Sequence, residues 1–320
     1  MKKNIFYLVL ICIAFQTCGQ QNSNIMIENK IKEKIKTLKT FDYEPIYQVH
    51  VETPYSFTIF INGIPIANKN FNHLSDYLTE INNCIPNSGR QSMEIVIYPR
   101  YTDTNKQNEF MENDIPFFLT IEKTNWKNGL LTKPEIVFQY RLPNEDYTAL
   151  RKITHSADFT AEVPYSLTDW KNGNTLDLKD SVSIKTKLLE TYQSLKYNFE
   201  HQEGEKYVDN VGLGLYNLYQ SSYFSQEEAL DHLNHKVDFI DKKRRELLNF
   251  ENYKLEISGN GKLVSLRRID GYNNQEGIIR RVYNKGTKKM VQVDDIIFYS
   301  PTKDKYEIFW FNNVVKGLEP

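Results

Sequence analysis

The spacing of apolar residues changes twice along this 320-residue chain, and that change decides its fold class. Residues 47–140 repeat with a period of two. In YSFTIFINGIPI, Phe57, Ile59 and Ile61 alternate and run into Asn62-Gly63, a strong hairpin signal. MEIVIYPR and EIVFQYRL are further strand-like runs, separated by turn-rich text. From about residue 181 the period lengthens. Ile184, Leu188, Tyr192 and Leu195 fall on one helical face, and two more helical segments follow, the last opening on a Ser225/Glu228 capping box. After Asn252 the period returns to two, with strands expected at 253–257, 262–269, 277–283, 290–298 and 306–311 and a turn at Asn260-Gly261. Strands and helices kept apart in this way specify an α+β class. The expected architecture is an N-terminal antiparallel β-sandwich, then a helical segment and an antiparallel β-meander domain. The boundaries are a signal peptide at 1–17, a tether and amphipathic helix at 18–44, the sandwich at 45–160 and an α+β domain at 161–320, with helices in about 181–250 and strands in about 253–311.

Hydrophobic residues make up 40% of the chain and charged residues 25%, which is globular rather than disordered composition. The net charge of −1 gives no global field for nucleic acid, and no nucleic-acid partner is expected.

The first residues say where such a chain goes. Lys2 and Lys3 precede an uncharged run at 5–15, too short to span a bilayer but of the length of a secretory signal core. FQTCGQ follows. It resembles a bacterial lipoprotein signal, with Phe15 where Leu is usual and Thr17 where a small residue is usual. That resemblance implies a lipid on Cys18, attachment to a membrane and a place in the cell envelope. Of Cys12, Cys18 and Cys84, only Cys84 would then remain as a thiol, so no internal disulfide supports the fold and the core must do so. Residues 19–24 are polar and read as a tether. In IMIENKIKEKIKTLKT, Ile27, Ile31, Ile35 and Leu38 fall at helical spacing among lysines. This basic amphipathic helix either lies on an anionic membrane or is a helix docked on its own domain or a stalk, and the second reading is preferred.

Residues 57–98 run through a strand, Asn62-Gly63 and NSGRQSMEIVIYP. This outline resembles the β-sandwich of galactose-binding-like modules, with Gln91 where those modules have Asn. The C-terminal order of helices followed by a meander is similar to that of nuclear-transport-factor-2-like domains, without the strand those often carry between helices. TNWKNG at 124–129 and TDWKNG at 168–173 have different flanks and read as two turn motifs, with Trp126 and Trp170 covering a sheet edge.

No catalytic set stands out, and no cofactor or metal is expected. His232 and His235 share a helical face but lack a third convincing ligand. SGNGKLVS lacks the first glycine and the Ser or Thr of a phosphate loop. His73, Ser75 and Asp76 are neighbours in sequence only. Asp294-Asp295 reads as a turn or bulge. The charge distribution is uneven. Residues 242–289 hold 13 Lys or Arg against 5 Asp or Glu. Arg267-Arg268 and Arg280-Arg281 sit in consecutive strands, so one arginine of each pair shares a face, offering a candidate surface for an anionic partner. The leading reading is a non-catalytic, lipid-anchored envelope protein that binds a protein or small ligand. One alternative is an immunity lipoprotein that neutralises a delivered toxin. Another is an enzyme with a pocket between the C-terminal helices and sheet, lined by Tyr219, Arg268, Arg281, Tyr283 and Trp310.

Overall fold

The computed structural model describes residues 30–69, 75–103, 106–113, 115–127, 130–242, 245–270 and 274–318. Cys18, Ile27 and His73, named above from the sequence, lie outside the described residues. The strands expected over the first half form as β1 (Pro45–Thr53), β2 (Ser56–Ile61), β3 (Ile64–Lys69), β4 (Ser75–Glu80), β5 (Gly89–Tyr98), a small β6/β7 pair (Tyr101–Asp103 and Lys106–Gln107), β8 (Phe118–Lys127), β9 (Leu130–Leu131), β10 (Glu135–Arg141) and β11 (Ile153–Ala161). Two antiparallel sheets result. One has the order β10-β8-β1-β4 with β9 on β8, the other β11-β5-β2-β3. Period two is the cause of their shared core. Tyr47, Val49 and Val51 of β1 point inward while Gln48, His50 and Glu52 between them point out. They meet Phe57, Ile59, Met93 and Ile95 of the other sheet in one buried cluster. Asn62 and Gly63 turn the β2–β3 hairpin at φ 52° and 79°, the left-handed values an Asn-Gly turn supplies. Gln91 locks that turn. Its Oε1 accepts from Asn62 Nδ2 at 2.8 Å, and its Nε2 donates to the Asn87 and Gly89 carbonyls.

The helical half contains α1 (Lys30–Ile35), α2 (Ser181–Glu200), α3 (Gly204–Asn210), α4 (Gly212–Ser221) and α5 (Gln226–Asp241). The middle helical segment is thus broken in two at Val211. The capping box at Ser225 and Glu228 forms with both of its hydrogen bonds. The basic helix near the N-terminus is docked on its own chain. Ile31, Ile35 and Leu38 are buried in the helical core, Asp209 Oδ1 accepts from the Ile31 amide at 3.1 Å, and Lys32 pairs with Glu205 at 2.7 Å.

The last strands are β12 (Glu246–Leu247), β13 (Tyr253–Ser258), β14 (Leu263–Arg268), β15 (Ile279–Lys285), β16 (Lys288–Tyr299) and β17 (Glu307–Gly317). Their antiparallel order is β12-β15-β16-β14-β13, with β17 also on β16. This sheet is a middle layer. Val264, Leu266, Ile296 and Phe298 face the helices beside Leu188, Tyr192 and Leu233. Leu263, Ile297, Tyr299 and Trp310 face the other way and join the core of the N-terminal sheets together with Trp170. Covered on both sides, β16 loses the polar alternation of a half-exposed strand. Asp294-Asp295 is therefore not a turn or bulge but mid-strand. The two Trp motifs also differ. Trp126 ends a strand and is 46% exposed, whereas Trp170 opens a 3-10 turn (Trp170–Asn172) and is 5% exposed, inside the junction rather than over an edge.

At that junction two turns cross backbone against backbone. Gly63 has φ +79° and Gly259 φ +56°, and a Cβ on Gly63 would stand 2.3 Å from Gly259 Cα. Asn82, fully buried, ties the same halves together. Its side chain accepts from the Tyr47 amide at 2.7 Å and donates to the Pro45 carbonyl at 2.8 Å and to the Ser221 carbonyl at 3.3 Å.

Candidate functional site

The four arginines proposed as an anionic-partner surface are not on the surface. Arg267, Arg268, Arg280 and Arg281 are all under a tenth exposed. Strand alternation splits them as expected, yet both faces of this sheet are covered, so alternation divides them between two interior layers. Asp294 and Asp295 do the same on the neighbouring strand. On the helix side Arg281 pairs with Asp294, which also accepts from Tyr207 Oη and Asn313 Nδ2. On the opposite side Arg267 pairs with Asp295, and its Nε donates to Ser265 Oγ at 2.8 Å. Arg268 closes on Asp270, with Nε donating at 2.8 Å. Buried arginines at these positions need carboxylates, because an unpaired interior charge costs several kcal/mol.

One of the four does reach a cavity. Between α5, the end of α4 and β15–β17 there is a space of about 400 Å³. The α5 sequence builds one wall by helical spacing. His232, His235, Lys236 and Phe239 fall at i, i+3, i+4 and i+7 and all line the cavity. Arg281 comes from β15, Gln292 opposite it on β16, and Phe311 from β17. Arg245, just before β12, closes one end with its guanidinium between the rings of Phe239 and Tyr283, 4.2 and 3.9 Å from their centroids. The Arg281 guanidinium lies 5.3 to 5.8 Å from the rings of Phe199, Phe239 and Tyr207, and the Lys236 amine 4.7 Å from that of Phe311. Aromatic faces stabilise cations taken out of water, by about 0.5–1 kcal/mol or more each.

The electrostatics are one-sided. Among the described residues no carboxylate lines this cavity; Asp294 pairs with Arg281 behind its wall, and Asp231 lies 3.4 Å from His235 at its edge. Desolvation pushes the Lys236 ammonium down to about 8, against the pull of Asp294. Desolvation also lowers His232, with Lys236 and His235 adding to the effect. Hydrogen bonding is incomplete in the same place. Arg245 Nη1, Arg281 Nε and Gln292 Oε1 are buried without a hydrogen-bond partner. Such groups cost roughly 1–3 kcal/mol each when left unpaired. A larger cleft of about 820 Å³, beside the Gly63–Gly259 crossing, differs in this respect. Its lining mixes Glu94, Asp158 and Glu256 with Lys171 and Lys262, and none of its lining residues carries an unpartnered buried polar atom.

Of the five side chains expected to line a C-terminal pocket, the structure places one in the wall of this cavity and two against residues of that wall. Arg281 lines the cavity, Tyr283 packs on Arg245, and Tyr219 Oη lies 2.9 Å from His232 Nδ1. Arg268 turns to Asp270, and Trp310 belongs to the core on the opposite face of the sheet. His232 and His235 make separate contacts, the second to the Asp231 carbonyl at 2.9 Å. Among the described residues no group of three or more His, Cys, Asp or Glu is placed to hold a metal ion. Lys236, Arg245 and Gln292 are additions that the sequence reading missed. Helical spacing of four from His232 was the signal for the first; the other two depend on which strands become neighbours.

No family model, no curated protein and no solved structure matches the chain.

Proposed function

We propose that the chain is a non-catalytic, lipid-anchored protein of the bacterial cell envelope that binds a ligand in the cavity between α5 and the C-terminal sheet. One observation carries the binding part. Three residues that line one space, Arg245, Arg281 and Gln292, each carry a buried polar atom without a hydrogen-bond partner, and no carboxylate lines that space among the described residues. Natural proteins seldom leave several buried donors and acceptors unpaired in one place, and a ligand that pairs them accounts for their cost. The signal-like FQTCGQ supports the anchor, and its membrane is the first partner. The two N-terminal sheets sharing one core support a β-sandwich reading of that half. The toxin-neutralising alternative drew on an exposed arginine face, and burial of those arginines removes that support.

Two measurements test this. Cells fed labelled fatty acid should label the wild-type protein and not Cys18→Ser; no label on wild type ends the anchor reading. Native mass spectrometry of protein released from the envelope should show a bound small molecule that is lost in Arg245→Ala. Identical ligand-free spectra for both proteins end the binding reading.

A further inference from the structure

The cavity's chemistry restricts what can occupy it. Nη1 of Arg245 and Nε of Arg281 are donors in need of an acceptor, and the Lys236 amine beside them adds a third positive charge. Arg281 is 1% exposed, so its free Nε is an interior atom. Gln292, 8% exposed, presents the opposite requirement. Its Oε1 needs a donor. The rest of the wall sets apolar Leu218, Phe239 and Phe311 beside His232, His235, Asn312 and Asn313. A space of about 400 Å³ is at the small end of ligand pockets, which run from roughly 300 to 1,000 Å³. A protein partner would need an interface of about 800 Å² on each side instead. Inorganic phosphate would answer the cations, and its P–OH could donate to Gln292, yet it would leave the apolar wall unmet.

Resting on the binding reading above, the geometry points to a small organic acid as the ligand: an anion on Arg245, Arg281 and Lys236, a hydroxyl or amino group donating to Gln292, and an apolar or aromatic portion against Phe239 and Phe311. The shared chemistry of carboxylate and phosphate esters fits the cations equally, so the two are separated by experiment.

The test is calorimetric titration of the full-length protein with four probes: mandelate, phenylacetate, phenyl phosphate and inorganic phosphate. Mandelate carries the acid, the hydroxyl and the ring; phenylacetate lacks the hydroxyl. Mandelate should bind about tenfold or more tightly than phenylacetate, the worth of one hydrogen bond to a buried group. Phenyl phosphate binding more tightly than mandelate assigns the acid as a phosphate ester; the reverse assigns a carboxylate. Lys236→Gln and Arg245→Gln, both at partly exposed positions and checked for native circular dichroism, should each weaken binding about tenfold or more. Gln292→Leu should erase the preference for mandelate over phenylacetate while keeping the apolar wall. Inorganic phosphate binding as tightly as mandelate, or variants that bind like wild type, would overturn the inference. So would the absence of binding by any of the four at millimolar concentration. In that last case a native ligand still seen by mass spectrometry, and lost in Arg245→Ala, leaves the binding reading standing and removes only the ligand class.

Discussion

Arg281 and Asp294 form an ion pair closed to solvent inside the C-terminal sheet, their side chains 2% and 0% exposed. Arg281 lies opposite Gln292 on the neighbouring strand and Asp294 two residues further along the same face. The carboxylate accepts from Arg281 Nη2, and the same arginine is one of the residues that line the cavity. Structure and proposed binding therefore draw on one guanidinium.

Asp294→Asn leaves that guanidinium uncompensated. It should destabilise the fold by roughly 3–5 kcal/mol, because the arginine stays buried while its counter-charge goes. Asp294→Leu combined with Arg281→Met should cost less than the two single changes added together. Urea denaturation of the four proteins checks this; additive costs would mean that the pair is not coupled.

Lys236 sets a pH dependence. Its folded value is pushed down to about 8, from an ordinary lysine value of 10.5, by desolvation, partly offset by Asp294. Below pH 8 the amine is charged in both folded and unfolded chains, and the burial penalty is fully present. Between 8 and about 10 the unfolded chain holds the extra proton, so stability contributed at this site rises with pH. The groups facing it are His232, His235, Arg245 and Arg281 around the cavity and Asp294 behind. The stability gap between Lys236→Met and wild type should narrow from pH 8 to 10 in urea titrations. Anion binding should run the opposite way and weaken as pH passes 8.

Gly63→Ala and Gly286→Ala form a controlled comparison. Both positions have left-handed φ, +79° and +61°, so each alanine incurs about 1–2 kcal/mol of backbone strain. A Cβ at Gly286 meets nothing within 4 Å, whereas at Gly63 it would press on Gly259 Cα. Gly63→Ala should lower the melting temperature well beyond the few degrees expected of Gly286→Ala. Equal shifts would show that the crossing relaxes freely.

Cys84 should be inert in the native state. It is 1% exposed, and burial pushes its thiol far above the usual cysteine range. Iodoacetamide should label a soluble form starting after residue 18 only when denaturant is added. Labelling without denaturant would mean that the core around Ile85 opens readily.

Much of the fold was legible because local rules and burial agree. Alternation in 57–61 and 93–97 predicts strands with one buried face, and those strands form with that face inward. The face that Ile31, Ile35 and Leu38 present at helical spacing is the one that docks. The arginine pairs were read correctly for alternation and wrongly for exposure. Alternation tells which residues share a face, but not whether a second layer covers it, and Leu263, Ile297 and Trp310 show that one does. Asp294-Asp295 misled for the same reason. Two adjacent carboxylates suggest a turn until each is given a buried arginine on its own side. The cavity was half visible. Helical spacing marks His232 and His235, and the same spacing reaches the overlooked Lys236, while Arg245 and Gln292 meet them only through the strand order β12-β15-β16, which nothing local encodes.

The docked α1 also has a mechanical meaning. Under the proposed lipid on Cys18, the covalent leash to the packed body is bounded at Lys30, where α1 begins, rather than at Pro45. Twelve residue steps at 3.3–3.6 Å allow a reach of roughly 40 Å even when fully stretched. The Lys36 carbonyl accepts from Gln226 at the start of α5, so the helix that forms a wall of the cavity is fastened to the end of the leash. If the proposed anchor holds, this chain length would keep the candidate site near the bilayer surface.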